Sequence, residues 1–210
     1  MRKTVLVTGS SRGIGASIVK KFAMNNFDVI INYLNSENEA LSLQNEIITK
    51  YNVICETIKC DVSKEEDVIN MAGFIKDKFG KIDVLVNNAG ICNDMILDLK
   101  TYDDFKKVID VNLNGTFLVT KYISKLMRKG SIVNISSTNG IDTYYPESID
   151  YDASKAGVIS LTHNFAKTFA PKISVNAVCP GWVETDQNKE LSAKQIKGIK
   201  KGILLKRFAK

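Results

Sequence analysis

Short apolar runs alternate along the chain with longer stretches of helical period. Six runs read as strands: TVLVTG (4–9), DVIINY (28–33), VICETIKCDV (53–62), IDVLVNNAG (82–90), SIVNISS (131–137) and ISVNAVCPG (173–181). Helical stretches follow them: one ending near Asn25, then roughly 37–50, 64–79, 103–128 and Tyr151 to about Phe169, with a basic helix after the last strand. Strands that are almost wholly apolar and separated by helices belong to βαβ units around a parallel sheet covered on both faces. Right-handed crossovers then give an α/β fold, a doubly wound parallel sheet of Rossmann-like form. No repeat, low-complexity tract or linker interrupts the pattern, so residues 1–210 are expected to form a single domain.

Composition narrows the class. With 44% hydrophobic residues in 210, the chain can bury one substantial core. No apolar run approaches the ~18 residues of a membrane span. The N-terminal MRKTVLVTGSS passes straight into a strand and lacks a signal-peptide core, so a cytoplasmic location is expected. Cys55, Cys60, Cys92 and Cys179 form no CxxC pair, which argues for reduced thiols and against zinc. His163, the only histidine, has no nucleophile motif beside it and reads as a surface or packing residue. From Lys189 to Lys210 there are eight Lys/Arg and one acidic residue, so the whole net charge of +6 lies at this end. That excess is not interleaved with stacking aromatics, and nucleic acid is not an expected partner.

The first strand runs into TGSSRGIG, with Gly9, Gly13 and Gly15 between a strand and a helix. Glycines permit the tight turn and let the backbone approach a pyrophosphate, which the helix N-terminus then attracts. In a first βαβ unit this points to a dinucleotide, held by Gly9, Ser11, Arg12, Gly13, Ile14 and Gly15. The second strand ends Asn32-Tyr33-Leu34-Asn35-Ser36, with no carboxylate before Glu37 to bond an adenosine ribose. Asn35 is the candidate there. Arg12 can pair with a 2′-phosphate, which favours NADP (NADPH) over NAD.

Further on, YDASKAG sets Tyr151 and Lys155 four residues apart on one face of a helix. With TGSSRGIG, NNAG (87–90), Asn112 in DVNLNGTF, NISS (134–137) and PGWVETD (180–186), it occurs in the order found in the short-chain dehydrogenase/reductase family. The chain resembles that family over essentially its whole length, and most of all its 3-oxoacyl-[acyl-carrier-protein] reductase branch, which serves fatty acid synthesis with NADPH. The resemblance implies Tyr151 as catalytic acid/base, Lys155 as its partner, Ser137 as the donor to the substrate carbonyl and Asn112 as the residue holding a relay water. It also implies that Asp61 and Val62 meet the adenine, that Asn88, Ala89 and Gly90 line the cofactor, and that Val183, after Pro180-Gly181, meets the nicotinamide carboxamide.

The implied chemistry suits these residues. Hydride transfer to a ketone creates an alkoxide that needs a proton and a hydrogen-bond donor. A phenol with its ordinary pKa of ~10 shuttles protons poorly, and a nearby ammonium is expected to lower that value. Ser137 precedes Tyr151 by fourteen residues, one more than is usual in the family, which leaves Ser136 and Thr138 as alternatives. Tyr144, Tyr145 and Pro146 in the intervening loop are placed to shape a substrate pocket. Members of this branch also continue past a segment like LLKRFAK into a further helix and a seventh, edge strand that helps build a homotetramer. The expectation is therefore a sheet without that strand. Lys125, Arg128, Lys129 and Lys172 are candidates to receive an acidic carrier protein. Two other activities fit the same motifs: reduction or oxidation of a small alcohol, sugar or steroid, and dinucleotide binding without catalysis.

Overall fold

Alternation inside each strand builds the two faces of one sheet. In β1 (Thr4–Val7), Val5 and Val7 join the core on one face and Leu6 the core on the other. In β2 (Asp28–Tyr33), Val29 and Ile31 oppose Ile30 in the same way. The computed structural model describes residues 2–185 and 192–210. Asp186 of PGWVETD and Lys189 of the basic segment lie outside the described residues.

The other strands are β3 (Cys55–Lys59), β4 (Val84–Asn87), β5 (Gly130–Ile135) and β6 (Ile173–Val178). All six pair in parallel in the order β3-β2-β1-β4-β5-β6, the doubly wound arrangement expected from the sequence. Among the described residues β3 and β6 form the two edges. Helices α1 (Gly13–Met24) and α2 (Glu37–Lys50) cover the Val5 face through Val19, Ala23, Ala40, Leu43 and Ile47. On the Leu6 face, α3 (Glu65–Phe79) and α5 (Gly115–Ile123) bury Val68, Met71, Ile75, Val119 and Ile123. Phe165 and Phe169 of α6 (Ile149–Phe169) pack against that same core. The remaining helices are α4 (Tyr102–Ile109) and α7 (Ala193–Gly202). No helix among the described residues is long and apolar enough to cross a membrane.

The strands stop earlier than their apolar runs suggest. The first run ends as a strand at Val7, not residue 9; the fourth ends at Asn87, not 90; the sixth at Val178, not 181. Beyond those points several backbone groups pair with side chains instead of a neighbouring strand, and these are the residues that carry the motifs. The helix expected over 103–128 is also broken. Between α4 and α5 the backbone widens into a π-turn at Asp110–Asn114, and Ser124–Leu126 closes the stretch as a 3₁₀ turn. A π-turn inside a helical stretch is rare and often marks a functional site. Here it carries Asn112, which is 1% exposed.

After α7 the chain returns to the segment beyond β6. Ala209 donates to the Trp182 carbonyl at 2.9 Å and accepts from the Glu184 amide at 2.8 Å. Phe208 stacks on Trp182 with ring centroids 5.8 Å apart, and Lys200 Nζ lies 5.1 Å from the Phe208 centroid.

The central layer has no slack to absorb a deletion. Ile30, fully buried in β2, sits between β1 and β3. Ile30→Ala is expected to lower stability by about 2–5 kcal/mol, read as an earlier urea midpoint at unchanged slope.

Candidate active site

Strand order reverses between β1 and β4, which opens a crevice at their carboxyl ends. Polar side chains hold its walls in place. Thr8 Oγ1 accepts from the amides of both Asn88 and Ala89 at 3.0 Å. Asn88 Nδ2 answers by donating to the carbonyls of Thr8 and Gly9, both at 2.9 Å. Asn32 Oδ1 accepts from the Gly9 amide at 3.0 Å, while its Nδ2 donates to the Cys60 carbonyl at 3.1 Å. Thr8 and Asn32 were not singled out from the sequence. A signal existed for Asn32: it is a polar residue directly after the apolar run Val29–Ile31 in a strand buried on both faces, where an amide needs partners.

Gly9 and Gly13 take positive φ, +59° each, and the turn closes so tightly that a Cβ on Gly15 would lie 2.6 Å from Asn88 Nδ2 and 2.7 Å from the Gly9 carbonyl oxygen. Ser11 and Ile14 are half-buried in this turn, and Arg12 is exposed at the head of α1. Among the described residues no side-chain cap is made at the N-cap of α1, Arg12, and the first turn has no acidic residue. Its leading amides are therefore available to an anion, which fits a dinucleotide phosphate. Asn35 is exposed just past β2. Nearby Glu37 is held by the Tyr33 hydroxyl at 3.2 Å. After β3, the Asp61 carboxylate accepts from the Ser63 amide and hydroxyl, and Val62 is buried with its side chain against Gly115.

The reactive groups gather across the crevice. Tyr151 and Lys155 lie in the first turns of α6, with Lys155 Nζ 5.4 Å from the Tyr151 ring centroid. Lys155 is 4% exposed and donates to the Ile135 carbonyl at 2.9 Å. Of the three candidate hydroxyls, Ser136 is committed to the Lys155 carbonyl at 2.8 Å, and the Thr138 amide binds the Pro180 carbonyl at 3.1 Å. Ser137 is the hydroxyl that faces the Tyr151 phenol, close enough to favour its ionised form. It is oriented by the Asn139 amide, from which it accepts at 3.2 Å. Gly140 lets the turn Thr138–Gly140 lie against α6, since a Cβ there would be 2.6 Å from the Lys155 carbonyl carbon.

Asn112 brackets Ile91, accepting from its amide at 2.8 Å and donating to its carbonyl at 2.9 Å. It also donates to Ser154 Oγ, which in turn donates to the Tyr151 carbonyl at 2.7 Å. A Cβ on Gly90 would come within 3.3 Å of Asn112 Oδ1 and 3.4 Å of Lys155 Nζ. Asn112, Gly90 and Lys155 therefore meet. Pro180 and Gly181 reach this side through Thr138, and Val183 bridges Ala209. His163 is exposed on α6. All four cysteines are free, and no metal-binding cluster occurs among the described residues.

One electrostatic expectation is overturned. The Tyr151 phenol is raised above its ordinary value, not lowered, because burial outweighs the help from Ser137. The Lys155 ammonium lies over the ring and donates to the Ile135 carbonyl, and burial remains the dominant influence on the phenol. Burial pushes Lys155 itself down to about 8. The phenol is thus held as an acid, beside an amine charged at neutral pH that can still yield a proton.

Comparison with known proteins agrees with this fold. The family profile described as short chain dehydrogenase matches residues 3–196. The 3-oxoacyl-[acyl-carrier-protein] reductase of Synechocystis is 40% identical over 198 residues, covering 92% of this chain and 79% of the relative. The solved structure of ElxO with NADP bound is 36% identical at TM-score 0.90, covering all of this chain and 86% of that one. A short chain dehydrogenase from Burkholderia cenocepacia in complex with NADP is 30% identical at TM-score 0.92, over 99% of this chain and 84% of that one.

The lysine shift has a measurable sign. A Lys155 with a pKa of about 8 folded against 10.5 unfolded binds fewer protons when folded. Its burial penalty is therefore complete below pH 8 and is relieved as pH rises toward 10.5. Stability of the native protein relative to Lys155→Met should rise across that window by roughly 3 kcal/mol in paired denaturant titrations. A flat difference would contradict a buried, titrating lysine.

Proposed function

The chain belongs to the short-chain dehydrogenase/reductase family of oxidoreductases, and from that premise we propose that it reduces a ketone with NADPH, the substrate being a 3-oxoacyl thioester carried on acyl carrier protein. The convergence of Ser137, Tyr151, Lys155 and Asn112 beside the uncapped amides of α1 is the observation that carries this reading.

NADPH, when bound, supplies the hydride. The protein's own residues do the rest. The α1 amides and the Gly9–Gly15 turn hold the pyrophosphate, and Arg12 pairs with the 2′-phosphate. No carboxylate opposes that phosphate at the end of β2, where Asn32 is turned to Gly9 and Glu37 to Tyr33. Ser137 and Tyr151 hydrogen-bond the ketone oxygen. As that oxygen gains negative charge, Tyr151 gives it the phenolic proton, forming the O–H of the alcohol. Lys155 then stabilises the phenolate until a proton returns by way of the Asn112 side.

Support for an acyl substrate comes from the relatives and from the rim of the site. The loop Ile91–Lys100 is tied to the segment before α6, where the Met95 amide donates to the Glu147 carbonyl at 2.9 Å and Ser148 Oγ to Asp94 at 2.6 Å. Ile96, Leu97, Tyr144 and Tyr145 are exposed along these two segments and offer an apolar wall to an acyl chain. Arg128, Lys129 and Lys172 stand instead at the amino ends of β5 and β6, opposite Tyr151 along the strands. Within one chain they do not border the site, so they do not support docking of a carrier protein at Tyr151. Exposed Tyr102 of α4 and Phe117 of α5 support a homo-oligomer.

Tyr151→Phe is expected to lower turnover of NADPH with a 3-oxoacyl thioester by about 10²–10⁴-fold while nucleotide binding by calorimetry is kept. Undiminished turnover would sink the proton-transfer role. Arg12→Ala should weaken NADPH binding by about tenfold or more and leave NADH binding nearly unchanged. Equal losses for both would return the cofactor choice to NAD.

A further inference from the structure

One buried ion pair next to the reactive tyrosine has no part in the chemistry just described. Lys100 and Asp150 are 2.7 Å apart, and their side chains are 2% and 0% exposed. The two oxygens of Asp150 are used separately: Oδ2 takes the Lys100 ammonium, and Oδ1 accepts from the Tyr151 amide at 2.9 Å. Lys100 also donates to the Asn93 carbonyl at 2.5 Å. Tyr151 is in the first turn of α6, whose N-cap residue, Ser148, makes no side-chain cap and is instead bound to Asp94.

We infer that Asp150 and Lys100 are positioning residues for Tyr151, the carboxylate fixing the tyrosine's backbone and the ammonium tethering that carboxylate to the loop after β4. The inference rests on the proposed role of Tyr151 as the proton donor. A buried carboxylate is costly unless paired, and it places a full negative charge one residue from the phenol. An exposed lysine on the same loop would steady the helix end without balancing that charge inside. The pair does both: it orders the first turn of α6 and keeps the carboxylate's field off the phenol.

Other titratable groups bear on this corner. Cys92 and Asp94 from the loop after β4 and Asp152 from α6 act on Tyr151, alongside Ser137 and Lys155. Asp152 is engaged by Asn139 Nδ2 at 2.6 Å and the Tyr145 amide at 3.1 Å. Asp104 of α4 feels Lys100, and Asp94 and Asp150 both act on Cys92. None of these replaces the contact to the Tyr151 amide.

The test uses the whole chain in five forms: native, Lys100→Met, Asp150→Asn, the double variant of these two, and Asp150→Leu. The tyrosinate absorbance of each is titrated against its own Tyr151→Phe partner, with thermal melting and NADPH binding by calorimetry followed alongside. Lys100→Met leaves the carboxylate without its counter-charge, so the Tyr151 titration should move to higher pH. The double variant, with a neutral acceptor still facing the amide, should return it toward the native position. In 3-oxoacyl reduction, Asp150→Leu, which removes the acceptor, should lower kcat by about tenfold or more, with the KM for NADPH unchanged and partial rescue by Asp150→Asn. A Tyr151 titration that stays put in Lys100→Met, or a fall in melting temperature with kcat of the folded protein intact, would overturn the inference. If the native chain reduces no ketone, the reductase proposal fails on its own, and the tyrosinate titration still decides whether the pair governs Tyr151.

Discussion

A parallel sheet leaves backbone amides and carbonyls unpaired where its strands end, and at β1, β2 and β4 these groups are claimed by three side chains. Thr8, Asn32 and Asn88 between them bind groups on Gly9, Asn88, Ala89, Thr8 and Cys60. Thr8 and Asn32 are buried and Asn88 is partly so, and an unmade bond at a buried group would carry its full desolvation cost. The glycine turn is therefore not a flexible loop over a crevice. It is fixed from β2 on one side and from β4 on the other, and only its outward face, at Gly13 and the head of α1, stays open. Preorganisation of this kind lets a nucleotide bind without first ordering its site.

The reactive corner obeys the same logic on a different set of elements. The end of β5, the π-turn between α4 and α5, the loop after β4 and the start of α6 are tied by Ser136 to Lys155, Asn112 to Ile91, and Asn112 through Ser154 to Tyr151. Distant stretches of sequence thus converge on one phenol and one amine. Widening the helix at Asp110–Asn114 turns Asn112 inward without ending the helical run. A regular helix would have kept the apolar period and lost that orientation.

Much of this was legible in the sequence, and the misses share a cause. The strand and helix order followed from hydrophobic period, and α2 ran over Glu37–Lys50 as expected. Helical spacing paired Tyr151 with Lys155 and the family resemblance added Asn112 and Ser137; the four gather at one end of the sheet. The strand ends were overdrawn because the residues after Val7 and Asn87 look apolar or small, yet their backbone pairs with side chains that no periodicity reveals. Thr8 and Asn32 escaped notice for that reason, being polar residues whose partners are backbone atoms far away in sequence. The sign of the Tyr151 shift was likewise beyond a linear reading. A tyrosine and a lysine four residues apart specify nearness, but burial depth and the direction of the ammonium's hydrogen bond depend on the packed fold.

The return of the chain after α7 has an optical consequence. Trp182 is the chain's single tryptophan, and it lies against Phe208 with Lys200 close by, one residue past the Pro180-Gly181 turn. Phe208 is 4% exposed, so the indole is covered by a ring twenty-six positions away in sequence. Excited at wavelengths the tyrosines do not absorb, the unlabelled protein therefore emits from one indole, placed where the tail meets the segment beside the reactive corner. Its colour and intensity report whether the two are together.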